Sequence, residues 1–165
     1  MEAVFTRLSV WLDRFEKGAV TVLLGTMIIV IFLQVFFRFV VKGSLPWSEE
    51  LARYVMVWAV FFGASMGAKT GAHIGVEAFV SFFPSKLQRL MILISAVLTQ
   101  IFCLLVFVLS MQVVLRIHEM EQVSPAMEIP MYIPYLAVPV GAVLMSIRFL
   151  QAAYGKWKND GEVKS

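Results

Sequence analysis

Few side chains in this 165-residue sequence could do chemistry, and they gather at the ends of apolar runs. The densest group is PWSEELAR, Pro46 to Arg53, at the mouth of a run that continues to Ala68. Two neighbouring carboxylates invite an acid and base reading. Consecutive residues of a helix point about 100° apart, however, so Glu49 and Glu50 do not converge on one reacting atom. Arg53 follows Glu49 by four residues and Glu50 by three, the spacing of same-face ion pairs, and Arg38 is a second possible partner across a short linker. A helix start with ion pairing explains the group without catalysis.

The other candidates thin out quickly. His73 and His118 are the only histidines, and both fall in connecting segments, whereas haem ligation needs histidine inside a span. Ser95, Ser110 and Ser146 have no histidine at helix depth to activate them for proteolysis. Cys103 stands alone, so there is no disulfide framework and no thiolate metal site. Coupled transport needs an ionisable group facing a cavity at mid-depth, and the spans offer none there. Gln34, Gln100, Ser65, Ser95, Thr99 and Ser110 suit interhelical hydrogen bonds. Arg148, in the last third of the fourth apolar run, is expected to snorkel to the membrane surface. The expectation is a protein that is not an enzyme and has no metal and no cofactor.

The elements that position these residues follow from composition. Sixty per cent of residues are hydrophobic and 15% charged, with a mean hydropathy of +0.83, against about 45–50% apolar and 25% charged in soluble domains. The fold class expected is an all-α integral membrane protein, a single membrane domain over 1–165. It has four transmembrane helices plus an N-terminal and a loop interfacial amphipathic helix. In residues 1–17, Val4, Leu8, Trp11 and Phe15, with Phe5 and Leu12 beside them, form an apolar stripe opposite Arg7, Asp13, Arg14 and Lys17, the pattern of an interfacial helix. The run that follows is too long for a signal peptide and lacks a small-residue cleavage site.

Span 1 is expected over 18–40 and span 2 over 48–68, with Ser44 or Ser48 as cap and both glutamates in the first turn, where the helix dipole favours them. Ile74, Val76, Phe79, Val80 and Phe83 alternate with polar residues and predict an interfacial helix over 72–83. Span 3 is expected over 87–116 and span 4 over 129–154, kinked by Pro139, with a solvated tail over 155–165. Gly63, Ala64, Gly67 and Ala68 suit close helix contacts.

Orientation follows from the basic residues. Ten of the 14 Lys and Arg lie in the N-terminal segment, the second loop and the C-terminal end, against four in the other two loops. By the positive-inside rule both termini are cytoplasmic, and the Pro46–Arg53 group faces outward. Nucleic acid is not implied; the lipid bilayer is.

Taken in order, Arg38-Phe39, PWSEELARY from Pro46, FFGAS from Phe61, GAHIGVE from Gly71 and QVSPAMEIPMYIPYLAVPVG from Gln122 carry a resemblance. The chain resembles, over nearly its whole length, the small membrane subunit (DctQ type) of tripartite ATP-independent periplasmic (TRAP) transporters. The resemblance implies a scaffold subunit in a bacterial inner membrane. Its partners would be a large multi-span subunit holding the substrate and sodium sites, and a periplasmic substrate-binding protein that captures organic acids such as C4-dicarboxylates or sugar acids.

It implies structural and partner-facing roles for Arg38, Trp47, Glu49, Glu50, Arg53 and His73, none as a substrate ligand. Because some members are fused to the large subunit while this sequence ends in a hydrophilic tail, it implies a separate partner chain. The competing reading is a small stand-alone transporter or channel working as a homo-oligomer, against which the missing mid-membrane carboxylate counts.

Overall fold

The computed structural model describes residues 2–69 and 84–162, so the 72–83 helix and His73 lie outside the described residues. Within them the chain is helical: α1 (Glu2–Phe36), continued by a π-helical turn over Phe37–Val41, α2 (Pro46–Lys69), α3 (Ser85–Glu119), the short α4 (Tyr132–Tyr135) and α5 (Ala137–Glu162). Four stretches are long and apolar enough to cross a bilayer: Ser9–Val41, Pro46–Lys69, Leu90–Glu119 and Tyr132–Ala153. A backbone in hydrocarbon must satisfy its own N–H and C=O groups, and the helix does so within one segment.

The helices stand in one row, with neighbours in the order α1, α2, α5, α3. Burial follows that order: 6% of the apolar stretch of α1 and of α3 is buried, against 28% for α2 and 33% for α5. The row's ends are therefore open to lipid or to another protein. The tightest approach joins the two inner helices. A Cβ placed on Gly141 of α5 would stand 2.5–2.9 Å from the Phe61 side chain of α2, so only glycine fits there. Of the small residues expected at close contacts, Ala68 is buried, whereas Gly63 and Gly67 have room for a Cβ.

Four expectations change. Residues 2–17 form no separate helix: α1 runs unbroken into the first span for 35 residues, about 52 Å at helical rise, longer than a hydrocarbon core of about 30 Å. Of the apolar stripe, Leu12 is buried together with Glu16, while Trp11 is 63% exposed. Neither Ser44 nor Ser48 caps α2. The helix opens on Pro46, favoured at a first position because its absent N–H would have no partner, and the Ser48 hydroxyl donates to the Leu45 carbonyl at 2.7 Å.

Glu49 remains in the first turn, and Glu50 falls beyond it. Pro139 acts one turn upstream of its own position. Its missing N–H would have bonded the Tyr135 carbonyl, and the helix is interrupted at Leu136 between α4 and α5.

Two turns join the spans on one side of the row. After α1, the Phe37 carbonyl accepts from both the Lys42 and Gly43 N–H groups, with Lys42 left-handed at φ 54°. Between α3 and α4, Val123 and Pro130 form an antiparallel bridge, and the Ser124 N–H donates to the Ile129 carbonyl at 2.9 Å. Glu121 and Glu128 are left-handed, at φ 50° and 54°. This is the loop side. The opposite, terminal side holds Ser9, Lys69, Ser85 and Ala153.

Candidate functional site

Charged and polar groups meet at two places along α2, one near each end. On the loop side the site is built around Glu50. Its position in the second turn of α2 turns the carboxylate toward the α3–α4 loop. There Oε2 accepts hydrogen bonds from the backbone N–H groups of Ala126 at 3.0 Å and Met127 at 3.1 Å. Oε1 accepts from the Tyr54 hydroxyl one turn along the same helix, and the Tyr54 hydroxyl oxygen lies 3.2 Å from the Met131 sulfur. Ser124, buried at the base of the loop, receives the Glu128 N–H on its carbonyl and the Met127 N–H on its hydroxyl. A carboxylate that collects two adjacent backbone donors ties them to one point of α2 through charge-assisted hydrogen bonds, and so fixes the loop's shape.

The neighbouring expected residues are placed differently. Glu49 and Arg53 form an exposed pair at 3.9 Å, with both side chains 70% accessible. Arg38 sits exposed in the π-helical turn, and among the described residues it pairs with neither glutamate. Trp47 is half-exposed at the second position of α2. The structure thus brings Glu50 into a tertiary contact and leaves Glu49, Arg53, Arg38 and Trp47 at the surface.

On the terminal side stands a cluster that sequence reasoning missed. Glu16 of α1 and Arg148 of α5 are both completely buried. Arg148 Nε donates to the two Glu16 oxygens at 3.1 and 3.3 Å, and Nη2 pairs with Glu16 Oε2 as well. The same Nη2 lies 2.8 Å from Asp13 Oδ1, while Asp13 Oδ2 pairs with Lys69 of α2. Ser65, also buried and on α2, donates to Glu16 Oε1 at 2.7 Å, and Arg148 Nη1 donates to Gln151 Oε1 at 3.1 Å.

Two acids and two bases balance, on three helices. The expectation that Arg148 snorkels outward is overturned: burying an uncompensated guanidinium is costly, and these acids compensate it inside the row. One signal could have found the cluster. Leu12 and Glu16 are four residues apart and so share a helix face, which makes Glu16 part of an inward stripe that apolar periodicity alone discounts.

Interhelical polar contacts divide likewise. Gln100 of α3 and Ser146 of α5 pair reciprocally: the Ser146 hydroxyl donates to Gln100 Oε1 at 2.6 Å, and Gln100 Nε2 donates to the Ser146 carbonyl at 3.1 Å. Thr99 and Ser110 instead donate back to carbonyls of their own helix, Ser95 and Val106. Among the described residues no group of three or more His, Cys, Asp or Glu side chains is arranged to hold a metal ion.

Comparison with known proteins gives one family. Residues 27–159 match the family described as "Tripartite ATP-independent periplasmic transporters, DctQ component". Among its relatives is the "C4-dicarboxylate TRAP transporter small permease protein DctQ" of Rhodobacter capsulatus, 29% identical over 174 aligned positions, covering 87% of this chain and 77% of that protein. The "Isethionate TRAP transporter permease protein DctMQ" of Oleidesulfovibrio alaskensis is 28% identical. There the match takes in 88% of this chain and only 24% of the relative. The "Ectoine TRAP transporter small permease protein TeaB" of Halomonas elongata is 26% identical, over 70% of this chain and 60% of that protein.

Proposed function

The chain belongs to the DctQ family of TRAP transporters, as a small permease subunit, and from that premise we propose that it serves as a static membrane scaffold for a large permease subunit. The family is one of transporter components and not of enzymes. The observation that carries the scaffold reading is the single row of helices. A row one helix thick encloses no path for a polar solute, so substrate and coupling ion travel through the partner. The ionic cluster supports the same reading, since buried Glu16 and Arg148 and the more accessible Asp13 and Lys69 are spent on one another.

The partners in this reading are a separate large multi-span subunit and a periplasmic binding protein, with transport driven by the transmembrane sodium gradient through sodium sites in the large subunit. The name DctMQ, on a relative about four times longer than the stretch it shares with this chain, supports a large membrane partner. The substrate is an organic acid of the C4-dicarboxylate or sugar-acid kind. Relatives named for C4-dicarboxylate, isethionate and ectoine support placing substrate choice outside this subunit.

Both termini face the cytoplasm by the positive-inside rule, and the Glu50-braced loop faces the periplasm. Arg38, Trp47, Glu49 and Arg53 form an exposed rim there that faces the partners, with His73 kept as a structural or partner-facing residue on its sequence motif. The part of α1 before Gly18 passes through the cytoplasmic interface, and the 72–83 segment, by its sequence pattern, lies along it. The whole chain, 1–165, works as one membrane domain.

The test is reconstitution in vesicles with an imposed sodium gradient. The purified chain alone is expected to accumulate no organic acid, and addition of the large subunit and the binding protein is expected to give sodium-dependent uptake. Uptake by the small chain alone would overturn the scaffold assignment.

A further inference from the structure

We propose that a groove between α3 and α5, on the terminal side of the row, seats one acyl chain of an anionic phospholipid. The groove holds about 450 Å³, and its walls are Leu93, Ala96, Val97 and Gln100 of α3, continuing to Ile101, with Leu150 and Ala153 of α5. Ala96 and Ala153 contribute only methyl groups, which leaves the space between the flanking leucines open.

Depth, polarity and charge select the occupant. From Leu93 to Ile101 the groove follows about 12 Å of helix rise, against roughly 15 Å for the hydrocarbon of one leaflet, half of a core of about 30 Å. An acyl chain stops near the midplane, as this groove does. A partner's spanning helix would need a channel along the full depth. The walls are apolar apart from Gln100, and its amide is engaged with Ser146 in the α3–α5 pairing.

The sequence has Lys86 and Arg89 in the opening turns of α3 and Lys156 and Lys158 in the closing turns of α5, followed by Asp160 and Glu162. Basic residues beside a membrane surface attract anionic headgroups, so these basic helix ends favour phosphatidylglycerol over a zwitterion with the same chains. The proposal rests on the orientation given above only for naming the leaflet, the cytoplasmic one.

The test uses the full chain, delipidated by detergent exchange and presented with dioleoyl phosphatidylglycerol or dioleoyl phosphatidylcholine, with bound lipid counted by native mass spectrometry. One phosphatidylglycerol is expected to remain bound, preferred about fivefold or more over phosphatidylcholine. Ala96→Leu and Ala153→Leu fill the groove from opposite walls and leave its polar pair in place. Each is expected to weaken retention about tenfold with helicity unchanged by circular dichroism.

Lys86→Gln combined with Arg89→Gln is expected to remove the headgroup preference while binding persists. Equal retention by the wild type and both filled variants, or no preference in the wild type, would overturn the proposal. In the assembled transporter, a photoreactive side chain at position 97 is expected to label lipid. Labelling of the large subunit there would also overturn it, and would leave the scaffold function standing.

Discussion

Glu49 and Glu50 differ by one position and share one chemistry, yet a rotation of about 100° gives them different work. Glu50 Oε2 holds two backbone donors of the α3–α4 loop, whereas Glu49 meets Arg53 at 3.9 Å in the open. Exposed pairs four residues apart on a helix contribute about 0.3–0.5 kcal/mol, so Glu49→Ala is expected to leave the loop unchanged. Glu50→Ala strips the Ala126 and Met127 N–H groups of their acceptor, and hydrogen exchange at those two amides is expected to accelerate about tenfold or more. Equal exchange in the two variants would remove the clamp from Glu50. The sequence marked this stretch as a fastening but not its counterpart. Spacing along α2 pointed to Arg53, while the acceptor geometry depends on a loop 76 residues downstream whose fold no local pattern encodes. Arg148 teaches the converse: charge near a span end reads as a snorkelling residue, and only the packing of three helices reveals acids waiting inside.

Helices were the legible elements, because four apolar stretches of 22–33 residues leave few alternatives in hydrocarbon. Their neighbours were not legible, since lipid-facing and helix-facing positions are apolar alike and periodicity loses its contrast. What fixes the order is a small number of specific contacts. Gly141 admits Phe61, Gln100 pairs with Ser146, and the Glu16–Arg148 group ties α1 and α5 across Ser65 of α2. In that last group each charge is buried at the expense of hydration and is offset only by its partners. Removing one member should cost more than replacing the pair. Arg148→Leu is expected to destabilise the chain by about 3–5 kcal/mol, lowering its melting temperature in mild detergent, with Asp13 and Glu16 left facing one another. Glu16→Gln combined with Arg148→Leu is expected to recover a good part of that loss. A double variant as unstable as the sum of the two single ones would mean that the residues act independently, and that α1 is held by its apolar contacts alone.

For the molecule as a whole, orientation is the property on which scaffold, rim and leaflet all depend, and it can be read with one thiol chemistry. The chain has a single cysteine, Cys103, buried in α3, so Cys103→Ser gives a background without a competing thiol. The loop side carries exposed positions rigid enough to report cleanly: Glu121 and Glu128, each held by the Glu50-braced loop. Both are left-handed, however, and cysteine at either position would pay for that φ, so exposed Gln122 between them is the better site. On the other side Ser165 or Glu2 serves. If ten basic residues against four set the topology, a membrane-impermeant maleimide added to spheroplasts is expected to label Gln122→Cys at once. It should reach Ser165→Cys only after permeabilisation. The reverse pattern would turn the Glu50 loop toward the cytoplasm, where no periplasmic binding protein could dock on it. The rim of Arg38, Trp47, Glu49 and Arg53 would then need a different partner.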